Sequence, residues 1–130
     1  MWRKDIEIIL ARQLASYLHM PIFIVDPAGN LLYYNEPAEQ ILGQRFAETG
    51  MMTADEWSQG FVPTSREGDP IPADDLPLMV ALAQHKPSHS EMWIHPFGNE
   101  PQLIDIWAFP LKGIAGTFLG AMAIFWRGEE

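Results

Sequence analysis

The stretch that most narrows what this chain can fold into runs from Pro21 to Gly43, PIFIVDPAGNLLYYNEPAEQILG. Ile22 to Val25 are β-branched or aromatic, the side chains that suit a pleated, half-buried strand. They lead into Asp26-Pro27-Ala28-Gly29-Asn30, where Pro and Gly set the backbone angles of a reversal. A second apolar run, Leu31 to Tyr34, follows at once. Asn35 then precedes Glu36-Pro37-Ala38-Glu39-Gln40-Ile41-Leu42, which carries the marks of a short helix. Asn accepts a bond from an orphan amide, Pro is tolerated in the first turn, and Gly43 ends it. Strand, turn, strand and capped helix are expected in that order.

The rest of the chain is read outward from this unit. Residues 1–18 predict an amphipathic helix, with Ile6, Ile9/Leu10, Leu14 and Tyr17/Leu18 recurring at three- and four-residue steps. So short a helix is marginal alone, so its apolar face must lie on its own sheet or on a second copy. Gln44 to Gly50 is polar and is expected to be irregular. Thr53 and Glu56 form a capping-box pattern that starts a helix through Trp57. Phe61 to Pro72 predicts a loop. Asp74 or Asp75 is expected to cap the next helix, which runs through Leu76, Pro77, Met79, Val80, Leu82 and Ala83 and stops at Lys86-Pro87. Paired aspartates also suggest acid/base or metal chemistry, but carboxylates at a helix N-terminus are the ordinary complement to its dipole. Ser90–His95, Leu103–Phe109 and Thr117–Trp126 predict three further strands. With the first two they make a five-stranded antiparallel sheet with the helices packed on one face, an α+β architecture.

Composition excludes several functions. The 130 residues suit one domain. The formal charge of −9 argues against nucleic acid, whose phosphates call for Lys and Arg. With no Cys, disulfides, thiolate chemistry and Cys-based zinc sites drop out. No apolar run reaches the about 18 residues of a membrane span, and Met1 to His19 interrupts its apolar residues with Asp5, Glu7, Arg12 and Gln13, unlike a secretory signal. A cytoplasmic location is the default expectation.

The order D-P-A-G-N-L-L-Y-Y-N-E-P-A-E-Q-I-L-G resembles the opening of a PAS domain, the small sensor module of bacterial signalling proteins. G-D-P-I-P-A-D-D-L-P-L-M-V-A-L, from Gly68 to Leu82, resembles the central loop and helix of that family. A-F-P-L at Ala108–Leu111 and G-A-M-A-I-F at Gly120–Phe125 resemble its last two strands. The resemblance implies a leading helix at 1–19 and a single PAS domain at 20–127. It further implies a non-catalytic sensory or interaction role, in which the leading helix covers the sheet, pairs with a second copy, or both. The family's final strand often ends in Asp-Ile-Thr before an output helix. Here Trp126-Arg127-Gly128-Glu129-Glu130 stands instead, so output runs through the N-terminal helix or the chain is an excised piece.

Side-chain alternation sorts the strand faces. Ile104, Ile106 and Ala108 are purely apolar and are assigned inward; Leu103, Asp105, Trp107 and Phe109 include a carboxylate and are assigned outward. In flavin-binding members the positions resembling Phe23, Val25, Met92, Ile94, Ile104, Ile106, Ala108, Met122 and Ile124 face a cavity. Leu76, Met79, Val80 and Ala83, with Trp57 and Phe61, are expected to wall its other side. Such a cavity suits a fatty acid or another small apolar ligand, unless the same side chains simply fill the core. Trp93, Trp107, Leu119, Ala121 and Phe125 then fall on the outer face, which is too apolar to be left to water. Ile6, Leu10 and Leu14 of the leading helix, or a second copy, are expected to cover it. Asn35, Thr53 and Asp75 are the expected structural caps.

Cofactors find little support. Among His19, His85, His89 and His95, only His85 is a candidate haem ligand, and it closes the long helix rather than lying within it, where the haem-binding members carry theirs. His89 and His95 lie about 20 Å apart if on one strand, too far for one metal ion. The light-sensing relatives attach flavin through a Cys that this chain lacks, which leaves non-covalent flavin as the alternative. Ser16, Ser58, Ser65, Ser88 and Ser90 show no pairing with a base and its orienter, and no phosphate-binding glycine loop is present. The remaining readings are a ligand-free dimerisation module, a haem sensor, or a small enzyme using Asp105 or Glu91 as base, which requires that carboxylate to point inward.

Overall fold

The computed structural model describes residues 19–128, apart from the side chains of residues 97 and 114. The expected leading helix, with Ile6, Leu10 and Leu14, lies outside the described residues. Strands β1 (Ile22–Val25) and β2 (Leu31–Tyr34) are followed by helices α1 (Glu36–Leu42), α2 (Phe46–Thr49) and α3 (Ala54–Phe61). A 3-10 turn at Ala73–Asp75 precedes α4 (Pro77–Gln84), and then come β3 (Ser88–Ile94), β4 (Gln102–Lys112) and β5 (Phe118–Arg127). The strands form one antiparallel sheet in the order β2-β1-β5-β4-β3. The helices lie on one face, so the α+β expectation holds. Among the described residues, no helix is long and apolar enough to cross a membrane.

The opening unit folds as its residues dictate. The Asp26 carboxylate accepts from the amides of Ala28 and Asn30 at 3.0 and 2.9 Å, closing the reversal between β1 and β2. Gly29 has φ 89°, and a Cβ there would sit 3.2 Å from that of Ala54, so this turn needs glycine both for its backbone angle and for the approach of α3. Asn35 is 1% exposed and caps α1, its Oδ1 accepting from the Ala38 amide at 3.2 Å. The same oxygen accepts from the Ile22 amide at 2.9 Å, and Asn35 Nδ2 donates to the Met20 carbonyl at 2.9 Å. One side chain thereby fastens the entrance of β1, the end of β2 and the start of α1.

Three expectations are corrected. Gln44–Gly50 is not wholly irregular: the Arg45 amide donates to Glu48 Oε1 and the Phe46 amide to Glu39 Oε2, which suffices for the single turn of α2. Thr53 caps α3 with its Glu56 box, but Asp75 caps nothing. Asp74 and Asp75 belong to the 3-10 turn, and α4 begins at Pro77 with Leu76 as an N-cap that makes no side-chain bond. Proline, with its fixed φ, suits the first helical position, which puts Leu76, a residue with no side-chain acceptor, at the cap and leaves both aspartates in the turn before it.

The phase of β5 is the third correction. Its register pairs Ala121 and Ala123 with Val25 and Phe23 of β1, and Ala123 and Phe125 with Ala108 and Ile106 of β4. Partners across a sheet share a face, so Ala121, Ala123 and Phe125 point toward the helices, and Met122 and Ile124 point away with Ile24, Ile22, Phe109 and Trp107. Leu119 is buried beside the register shift at the start of β5 and is no part of an open outer face. The cause is the close seating of α4 over β4 and β5, where Ala81 meets a sheet patch that includes Ala108, Ala121 and Ala123, all fully buried. Gly120 marks a separate close approach within the sheet, since a Cβ there would fall 2.0 Å from the Val25 carbonyl oxygen at the end of β1.

Replacing Asn35 with Ala leaves the amides of Ile22 and Ala38 and the carbonyl of Met20 without their partner. We expect a loss of about 3 kcal/mol of unfolding free energy, measured by urea denaturation. A loss below about 1 kcal/mol would show that water replaces these bonds.

Candidate functional site

Between the sheet and the helices lies a small apolar cavity of about 40 Å³. Phe23 of β1 forms its floor, with Met92, Ile94, Ile104, Ile106 and Phe125 from the neighbouring strands. Trp57, Phe61, Leu76 and Leu78 close it from above, and Leu42, Ser58, Pro63 and Pro77 complete the wall. Trp57 and Phe61 meet the Phe23 ring edge-on, at 5.4 and 5.6 Å between centroids. The indole Nε1 of Trp57 donates to the Gly29 carbonyl at 2.7 Å, which ties α3 to the first turn and occupies the indole's only donor. Ser58 Oγ donates to the Asp55 carbonyl. Among the described residues of this wall, Trp57 and Ser58 carry the only side-chain N–H or O–H groups, and both are bonded to backbone.

The structure brings together eight of the residues expected at a cavity: Phe23, Trp57, Phe61, Leu76, Met92, Ile94, Ile104 and Ile106. Val25 and Ala108 are fully buried in the same core but do not line the space. Met79 and Val80 are half-buried and Ala83 is exposed, because α4 turns Leu78, Ala81 and Leu82 inward instead. The segment PLMVALA is apolar on every side, so helical periodicity alone could not choose between the two stripes. Met122 and Ile124 lie on the opposite face of the sheet, as described above. Leu42, Ser58, Pro63, Pro77, Leu78 and Phe125 were missed. Only Leu42 bore a usable signal, as the last apolar residue of a capped helix.

His85 takes the left-handed conformation at the end of α4, with φ 54°, and stacks on Phe118 at 4.0 Å. It is exposed and does not line the cavity, so the haem reading loses its ligand. Among the described residues, no group of three or more His, Asp or Glu is placed to hold a metal ion. Burial pushes the phenol of Tyr34 above its ordinary value, against the lowering effect of its bond to Thr49; its hydroxyl also donates to the Gln44 carbonyl at 2.9 Å.

The outer face divides in two. Over β1, β2 and β5 it is apolar: Ile22, Ile24 and Met122 are buried among Leu32, Tyr33, Phe109, Leu111 and Ile124. Over β3, β4 and the end of β5 it is aromatic and acidic. Glu91 stands directly opposite Asp105, which pairs in turn with Trp126, and His89 stands opposite Trp107 with Trp93 opposite Leu103. His89 is hydrogen-bonded to Asp105 and stacks on Trp107 at 4.4 Å. Arg66 donates to Glu91, and that bond holds its guanidinium above the ordinary arginine value. Glu91 and Asp105 thus lie on the face away from the cavity. An inward carboxylate base in either of them is ruled out by this placement.

No family model matches the chain, and no curated protein matches it. Solved structures do. It is similar to the PAS domain of a protein from Colwellia psychrerythraea, at 14% identity over 93% of this chain and 96% of that one, with a TM-score of 0.65. It is similar to the PAS domain of nitrogen regulation protein NR(II) from Vibrio parahaemolyticus, at 12% identity over 92% of this chain and 98% of that one, with a TM-score of 0.65. A light-oxygen-voltage domain studied with a flavin analogue is 13% identical over 95% of this chain and 85% of its own, with a TM-score of 0.66.

The alanine patch under α4 gives the placement of β5 a direct test. Ala123→Leu is expected to lose about 1–3 kcal/mol by overpacking, and Met122→Leu, on the other face, under about 1.5 kcal/mol. Chemical denaturation of the two variants side by side reads the difference, and the reverse ranking would contradict the register.

Proposed function

Because this chain has the PAS fold, we propose that it is a non-catalytic sensory domain. Its apolar core is the sensing element, and its leading segment and outer sheet face carry the state to a partner or a second copy. The observation that supports this most is the chemistry of the cavity wall. It is almost entirely carbon, and its two polar groups are already bonded to backbone carbonyls. Such a wall favours a neutral apolar molecule and gives nothing with which to orient a reacting group.

The same wall does not fit a flavin. An isoalloxazine needs donors and acceptors along its polar edge, and a space of about 40 Å³ is small beside the roughly 150 Å³ cavity that takes benzene. A ligand of even that size requires α3 and the start of α4 to move away from the sheet. Ligand binding would then select a displaced arrangement of the helices, by no more than its difference in affinity for the two arrangements. On the outer face, Ile22, Ile24 and Met122 cluster with Leu32, Tyr33, Phe109, Leu111 and Ile124, an apolar surface of the kind that the apolar pattern of Ile6, Leu10 and Leu14 would suit.

Native mass spectrometry of the purified protein, followed by thermal melting with and without benzene, tests the sensing core. Ile94→Ala is expected to destabilise by about 2–4 kcal/mol and to regain part of that loss with benzene. A bound polar cofactor, or no response to benzene in either protein, would sink the apolar-ligand reading. For the pairing, sedimentation across a concentration series is expected to show a dimer that Leu10→Glu weakens. A monomer at all concentrations would remove the second copy from the proposal.

A further inference from the structure

The backbone is strained at one exposed place beside the cavity. Val62, which follows α3 and is 51% exposed, has φ 45° and ψ 63°, the left-handed conformation. A β-branched side chain crowds the backbone there, and such a residue keeps these angles only where its neighbours impose them. They are imposed from both sides. The Phe61 carbonyl accepts from the His95 amide at 2.7 Å, and Thr64 exchanges backbone bonds of 2.8 and 2.9 Å with Trp93. Pro63 narrows the way out, because a residue before proline is driven from the right-handed region toward extended backbone. Relief for Val62 therefore lies in a rotation of about 165° in φ. With Thr64 fastened to β3, the part that this rotation swings is α3.

What α3 carries is the roof of the cavity. Trp57 and Phe61 cover Phe23 from this helix, and Ser58 and Pro63, which bracket Val62 in the chain, are wall residues that stay only half-buried. The helix is slung between two backbone ties, the Leu31 amide on the Met52 carbonyl at 2.6 Å and the Thr64–Trp93 pair. Between those ties, the Trp57 indole bond to Gly29 and the Phe61 carbonyl bond to His95 hold it down. We propose that Val62 is the strained hinge of a lid. α3 covers the core while Val62 is left-handed, and swings clear with Val62 extended to admit an apolar molecule past Ser58 and Pro63. Strain in the closed state lowers the cost of opening, whereas glycine, free to adopt these angles, would hold the lid shut. The lid's purpose rests on the apolar-ligand reading above, but the hinge can be tested with no ligand present.

Protection of the Trp57 indole hydrogen from exchange, followed by NMR in the intact protein, reads the opening, since its bond to Gly29 breaks when α3 lifts. It is expected to be less protected than the backbone amide of Ala123, buried on the central strand of the sheet. Val62→Gly is expected to raise Trp57 protection about fivefold and to weaken benzene binding by a similar factor. Val62→Thr, still β-branched, is expected to leave both unchanged. Equal protection of Trp57 and Ala123, no rise in Val62→Gly, or an equal rise in Val62→Thr would each overturn the hinge. Benzene binding undiminished by Val62→Gly would overturn the route of entry. Raised protection in Val62→Gly, with no benzene bound by either protein, would uphold the hinge and sink the ligand reading alone.

Discussion

The bonds gathered at Asn35 are the constraint on which the arrangement of this domain rests. A buried amide side chain must satisfy its own donor and acceptor, and here it does so by drawing on two segments at once: Met20 and Ile22 where the chain enters the sheet, and Ala38 in the first turn of α1. The helical layer therefore starts at a fixed point beside the sheet. From there α1 lays Ile41 and Leu42 into the core, and Trp57 anchors α3 to the first turn through the Gly29 carbonyl. The cavity lies between these two attachments, walled by elements whose positions they set.

The two faces of the sheet follow from side-chain size as much as from polarity. A helix comes close to a sheet only over small residues, and Ala108, Ala121 and Ala123 give α4 that approach. Farther along the same strands, Phe125, Ile106 and Ile104 keep the helices off, and a space remains. The bulky residues displaced from the inner face, Met122 and Ile124, then make the outer face of β1 and β5 apolar. One packing decision thereby fixes both the cavity and the surface opposite.

Much of this was legible in the chain. The opening unit, the antiparallel sheet and the caps at Asn35 and Thr53 rest on local chemistry: turn residues, a box of Thr and Glu, and strands whose alternation includes a polar member. β4 could be phased because Asp105 marks one of its sides. The parts that misled were those without such a marker. In LGAMAIFW and PLMVALA every position is apolar, and either phase satisfies the periodicity. The Asp74–Asp75 pair misled in another way, since an N-cap pattern was present but the proline that follows starts the helix later.

The sequence by itself determined the order of the strands, the reversal at Asp26–Asn30 and the Asn35 cap on α1, because each depends on neighbours in the chain and on hydrogen-bonding groups that must be satisfied where they stand. Tertiary structure alone decided which side of β5 and of α4 faces the core, and hence which residues line the cavity. For a uniformly apolar segment, burial is equally favourable either way round, and only the fit of small side chains beneath a crossing helix separates the two.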